Sequence, residues 1–118
     1  MAFRCEDLGS LIVLTYGERR LDYGASAEFR EASRECIRSD RSIYILDLQD
    51  VTFVDSSGIG AIVGFLKHLG RDRRLELCGL NPMVSKVFKL TRLDKVFTIR
   101  KDREACLEAY RNIALAIS

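Results

Sequence analysis

A chain of 118 residues, 47% apolar and 31% charged, holds enough nonpolar matter for one hydrophobic core and lacks the bias of a disordered segment. Its net charge of +2 argues against a nucleic-acid binder, and its apolar runs, Leu11–Tyr16 and Ile59–Leu66, are too short to cross a bilayer. The opening Met-Ala-Phe-Arg-Cys-Glu-Asp has no apolar stretch of the kind a secretion signal needs, so a cytoplasmic location is expected, with neither membrane nor nucleic acid as partner. Four scattered cysteines, Cys5, Cys36, Cys78 and Cys106, form no Cys-x-x-Cys pair, and His68 is the single histidine. This spacing predicts small core thiols and supports no disulfide framework, metal centre, histidine triad or cofactor.

In chain order, a first strand is expected near Phe3–Glu6 and a second over Leu11–Tyr16. Residues 25–38 change to helical period. Ala25, Phe29, Ala32 and Cys36 share one face, and Glu28, Arg30, Glu31 and Arg34 lie on the other. Ile43–Leu48 is nearly continuously apolar, as a central strand covered on both faces would be. A helix follows Asp55-Ser56-Ser57-Gly58 and runs to about Leu69. Arg74–Cys78 alternates at period two and reads as a strand. Asn81 and Pro82 suit the cap and first turn of a helix carrying Met83, Val87 and Leu90 inward. A short strand over Val96–Ile99 precedes a last helix, opened by Asp102, with Cys106, Ala109, Tyr110 and Ile113 on one face. The alternation predicts an α/β domain: a four- or five-stranded mixed sheet with about four helices.

The turn after the Ile43–Leu48 strand carries the clearest functional signal. Asp55, Ser56 and Ser57 can each accept from the free N–H groups of a first helical turn, so capping alone accounts for them. The following helix adds a second observation. Ile59, Ile62, Val63, Leu66 and Leu69 form an expected buried stripe, while the opposite face holds Ala61, Gly64, Phe65 and His68, with Gly60 at its edge. Two glycines within a helix cost about 1 kcal/mol each relative to alanine, and close approach by another backbone would justify them. A small, apolar face starting at a serine-rich turn reads as a docking surface; burial on both sides is the competing explanation. A phosphate here would add about −1.5 to −2 charges at a helix N-terminus that tolerates it, yet disrupt an interface that must desolvate it.

The stretch Leu48-Gln-Asp-Val-Thr-Phe-Val-Asp-Ser-Ser-Gly-Ile-Gly60 resembles the core motif of STAS domains, in particular the bacterial anti-sigma factor antagonists. The resemblance extends to Leu21-Asp22, to residues 77–82 and to Leu93-Asp94-Lys95-Val96-Phe97, and implies one STAS domain over 1–118. It implies a non-enzymatic switch whose partner is an anti-sigma factor with serine kinase activity. The unphosphorylated form binds that kinase, phosphorylation of Ser56 releases it, and a PPM-type serine phosphatase reverses the modification. With the small-residue helix face, the expected binding surface comprises Asp22, Asp55, Ser56 and Ser57 with Gly58, Gly60, Ala61 and Gly64. One departure concerns Asp22: the family often has glycine two residues before the Leu-Asp pair, whereas here Glu18-Arg19-Arg20 separates Gly17 from Leu21. The alternative function is a STAS scaffold subunit of a transporter or stressosome-like assembly without a phospho-cycle. An enzymatic reading finds neither a phosphate-binding Gly-x-x-x-x-Gly-Lys loop nor a catalytic constellation.

Overall fold

The computed structural model of the chain describes residues 3–117, with side chains through residue 111. Its elements run β1 (Phe3–Asp7), β2 (Ile12–Tyr16), β3 (Arg20–Leu21), α1 (Tyr23–Glu35), β4 (Ile43–Asp47), β5 (Phe53–Val54) and α2 (Ser56–Leu69). They continue with β6 (Arg74–Cys78), α3 (Pro82–Leu90), a 3₁₀ turn (Leu93–Lys95), β7 (Thr98–Arg100) and α4 (Arg103–Ile117). Five strands form one sheet in the order β1-β2-β4-β6-β7; β1 is antiparallel to β2 and every other pairing is parallel. The expected mixed α/β sheet with four helices is therefore present. Among the described residues no helix is long and apolar enough to cross a membrane.

Burial on both faces explains the apolar run of β4. Tyr44 and Leu46 join the larger core with Ile12, Leu14, Phe29, Ile62 and Phe65, whereas Ile45 faces a smaller cluster with Val13, Cys78 and Cys106 beneath α4. The alternating pattern of β6 suggests one wet face, but α4 covers that face too. Glu76 is fully buried there, where Arg100 donates to it at 2.7 Å, Arg74 at 3.1 Å, and the Tyr110 hydroxyl donates as well. Burial opposes ionisation of Glu76, but the hydrogen bonds from Arg100 and Tyr110 outweigh it and hold the carboxyl below its usual range. The folded value being the depressed one, this contribution is complete above the unfolded value of about 4.3 and fades as pH falls through the folded value. Glu76→Gln is expected to destabilise the domain by about 2 kcal/mol at neutral pH and less in acid. Urea unfolding of both proteins across that range checks this.

Two helices are rolled differently from their predicted stripes. In α3, Val84 and Phe88 are buried and Val87 is half-buried, while Met83 and Leu90 are exposed. Asn81 sets this roll by accepting from the Val84 N–H at 2.8 Å and donating through Nδ2 to the Val51 carbonyl at 3.2 Å. In α2, the fully buried residues are Gly58, Ala61, Ile62, Phe65 and Leu69, and Ile59, Val63 and Leu66 sit half-buried at the margin. Ala61 and Phe65, expected on a docking face, thus belong to the core because α2 is pressed against α1 and the sheet. In α1, Phe29 and Cys36 are buried and Ala25 and Ala32 half-buried, as the period implied. The side chain of Ile113 lies outside the described residues.

The cysteines also require a correction. Cys78 and Cys106 are buried thiols, but Cys5 is exposed on β1 and is joined to the buried Cys36 that ends α1. The antiparallel β1–β2 pairing and the return of α1 over it bring these two positions together, 31 residues apart in sequence.

Candidate functional site

Two segments of only two residues each build the site. Arg20–Leu21 and Phe53–Val54 pair in parallel as β3 and β5, placing the N-termini of α1 and α2 side by side. Each helix opens on an aspartate with extended backbone. Asp22 accepts from the Ala25 N–H at 3.2 Å, and Asp55 accepts from the Gly58 N–H at 2.9 Å. The second oxygen of Asp55 reaches across and accepts from the Tyr23 N–H at 3.0 Å. One carboxylate therefore satisfies a free donor on each helix and fixes their separation. Arg20 donates to the outer oxygen of Asp22 at 3.0 Å, holding that carboxyl below the usual range, and lies over the Phe53 ring at 4.2 Å.

Gly58 is structural. A Cβ there would overlap the carbonyl oxygen of Leu21, so only glycine lets β3 lie against the first turn of α2. Gly58 and Ala61 are buried, so neither presents surface beside Ser56. Ser56 is exposed at the first position of α2, Ser57 is half-buried, and Asp22 and Asp55 are half-buried beside them. From Ser56 the outward ridge continues one and two turns along through Gly60, Val63 and Gly64, all half-buried, to the exposed Lys67.

The helical glycines have a neighbour within the chain. The Arg30 guanidinium crosses from α1 and lies 3.6 Å from the place a Cβ of Gly60 would take and 4.0 Å from that of Gly64. Tyr23, 81% exposed at the first position of α1, stands on the other side of the Asp55 bridge. Neither Tyr23 nor Arg30 was singled out from the sequence. An apolar ring directly after the Asp22 cap was a readable sign for Tyr23, but Arg30 looked like any solvated charge. Leu21 ends β3 and Asp22 caps α1, so the pair lies directly before the first helix. Among the described residues no group of three or more His, Cys, Asp or Glu side chains could hold a metal ion.

The arrangement is an exposed hydroxyl at a helix start, beside two aspartate caps and bordered by a helical face of small residues. The chain belongs to the STAS domain family, whose model matches residues 6–106. A STAS-domain containing protein from Pseudomonas aeruginosa is 30% identical over 81 residues, which are 68% of this chain and 79% of that protein. The anti-sigma-B factor antagonist of Staphylococcus aureus is 32% identical over 65 residues, 54% of this chain and 59% of the relative, so the match spans little more than half of either. In fold, the chain is similar to the Bacillus cell fate determinant SpoIIAA in its phosphorylated form. That likeness has a TM-score of 0.66 at 24% identity and covers 92% of this chain and 99% of the other.

Proposed function

We propose that this chain is an anti-sigma factor antagonist, a non-enzymatic binding protein of the cytoplasm acting as one STAS domain over 1–118. Unphosphorylated, it captures an anti-sigma factor that has serine kinase activity. The kinase phosphorylates Ser56 and is released, and a PPM-type serine phosphatase returns the protein to its binding form. The observation that carries this reading is the exposure of Ser56 at the head of α2, on the same ridge as Gly60, Val63 and Gly64. Membership of the family and the function named for the Staphylococcus aureus relative support it.

The docking face differs from the one expected from periodicity. It consists of Asp22, Tyr23, Ser56, Ser57, Gly60, Val63 and Gly64, with Asp55 bracing it and Gly58 and Ala61 beneath. Gly64→Arg tests it, because the nearest atom to a Cβ there is Arg30 Nε at 4.0 Å, in a flexible side chain. The variant is expected to keep cooperative unfolding and to bind the kinase at least tenfold more weakly. Tyr23→Ala is expected to weaken binding about tenfold through lost aromatic contact at an exposed rim. Binding titrations on the purified kinase, with thermal melts as the control for folding, decide both. Full affinity in both variants would remove this face from the interface.

A further inference from the structure

The far end of α1, about 20 Å along the helix from the Ser56 pole, holds a second chemically competent place. We propose that Cys5 and Cys36 are a reversible thiol–disulfide modification site that latches the edge strand β1 to the end of α1. The proposal is independent of the Ser56 switch.

Geometry permits the bond without moving the backbone. The two Cα atoms are 5.9 Å apart, within the range that disulfides span. Access differs between the partners: Cys5 is exposed, whereas Cys36 is 5% exposed. An incoming oxidant therefore meets Cys5 first. The reduced state is also accommodated, because Cys36 Sγ lies 3.6 Å from the Ala32 carbonyl oxygen, where its S–H finds an acceptor. Cys78 and Cys106 offer no comparable site, since both are buried, Cys78 on β6 and Cys106 on the face of α4 that covers it, and neither is open to an incoming oxidant.

The chemistry balances with a small-molecule disulfide as oxidant. The Cys5 thiolate attacks one sulfur of that disulfide, forming a mixed disulfide and expelling one thiolate. The Cys36 thiolate then attacks the Cys5 sulfur and expels the second. Two protein thiols are oxidised, one external disulfide is reduced to two thiols, and the protein loses two hydrogen atoms. A disulfide with one exposed cysteine is open to reversal by the same exchange, which suits a regulatory bond.

The bond acts at one edge of the sheet. Strand β1 is at the sheet edge, paired with β2 alone; Phe3 packs against Tyr16 and Phe29 at ring centroid distances of 5.3 and 5.0 Å, Glu6 accepts from Arg103 at 2.7 and 3.0 Å, and Asp7 accepts from Arg41 at 2.9 Å. Closing the 31-residue separation restricts the unfolded chain and ties β1 to the helix on which it rests.

The test incubates the reduced full chain with glutathione disulfide and maps the products by peptide mass spectrometry. The expected product is lighter by two hydrogens, links the peptides of Cys5 and Cys36, and reverts with dithiothreitol. Its melting midpoint should rise by roughly 10 °C over the reduced protein. Cys5→Ser, a change at an exposed position, should match the reduced protein's melt and show no rise on oxidation. A linkage between Cys78 and Cys106, a stable glutathione adduct on Cys5, or equal midpoints for oxidised and reduced wild type would overturn the proposal.

Discussion

Phosphorylation of Ser56 is expected to weaken binding of the cognate kinase about a hundredfold, equivalent to roughly 3 kcal/mol, while leaving the fold of the domain intact. Both halves of the expectation follow from position. Ser56 is exposed at the first residue of α2, so a phosphate there remains hydrated in the free protein. The free N–H groups of the first turn favour its charge, and Arg30 lies one turn along, beside Gly60. In the bound state the same group would sit within the interface, with Asp55 and Asp22 close by and a partner surface in place of water. Desolvating about two negative charges there costs more than the helix N–H groups and Arg30 return. Ser56→Asp should reproduce part of the loss, since a carboxylate carries less charge, and Ser56→Ala should bind whether or not ATP is present. Ser56 is expected to be modified in preference to Ser57, which is half-buried. Site mapping after incubation with kinase and ATP, with affinities for the three forms, provides the check. Phosphate on Ser57 alone, or unchanged affinity after modification of Ser56, would remove the mechanism.

The head of α2 was readable in the sequence because capping is local chemistry. An aspartate followed three residues later by an unpaired N–H needs no tertiary information, and Asp55 bonds the Gly58 N–H as that rule implies. The central strand was equally clear, since only a doubly covered strand can hide a run such as Ile43 to Asp47. The roll of α2 was not fixed locally. Apolar residues occupy nearly every side of that helix, so two neighbouring stripes fit the same period. The selection between them was made by α1 and by the carbonyl of Leu21, which only glycine can meet at position 58. The roll of α3 is hidden for a related reason: it depends on Asn81 reaching the Val51 carbonyl, a bond across 30 residues.

Other features were hidden by residue type. Ser26 and Ser33 look like solvent-facing residues of α1, yet both are buried, because their hydroxyls donate to the carbonyls of Tyr23 and Arg30 within the same helix. Strands β3 and β5 have two residues each, too few for any alternation to emerge. The Cys5–Cys36 contact joins an edge strand to a helix end, and no short spacing could announce it. The β3–β5 pairing and the Cys5–Cys36 contact both join elements distant in sequence, which local pattern does not reach.

Ala61→Arg is expected to abolish cooperative folding, in contrast to Gly64→Arg three residues further along the same helix. Ala61 is fully buried in the larger core, which also holds Ile62, Phe65, Leu21 and Phe29. An arginine there must displace packed side chains and also bring a guanidinium out of water without a carboxylate to meet it. Overpacking alone typically costs about 1–3 kcal/mol, and an unpaired buried charge adds several more. Together these approach the roughly 5–15 kcal/mol that stabilises a domain of this class. Gly64 presents its side-chain position to Arg30 and solvent instead, so the same substitution there meets no packed wall. Far-ultraviolet circular dichroism during heating and urea titration should show a sharp transition for Gly64→Arg and none for Ala61→Arg. The pair also separates two kinds of lost binding, because only Gly64→Arg should lose its partner while remaining folded. A folded, cooperatively melting Ala61→Arg protein that fails to bind would move Ala61 to the surface and reverse the assignment of the buried face of α2.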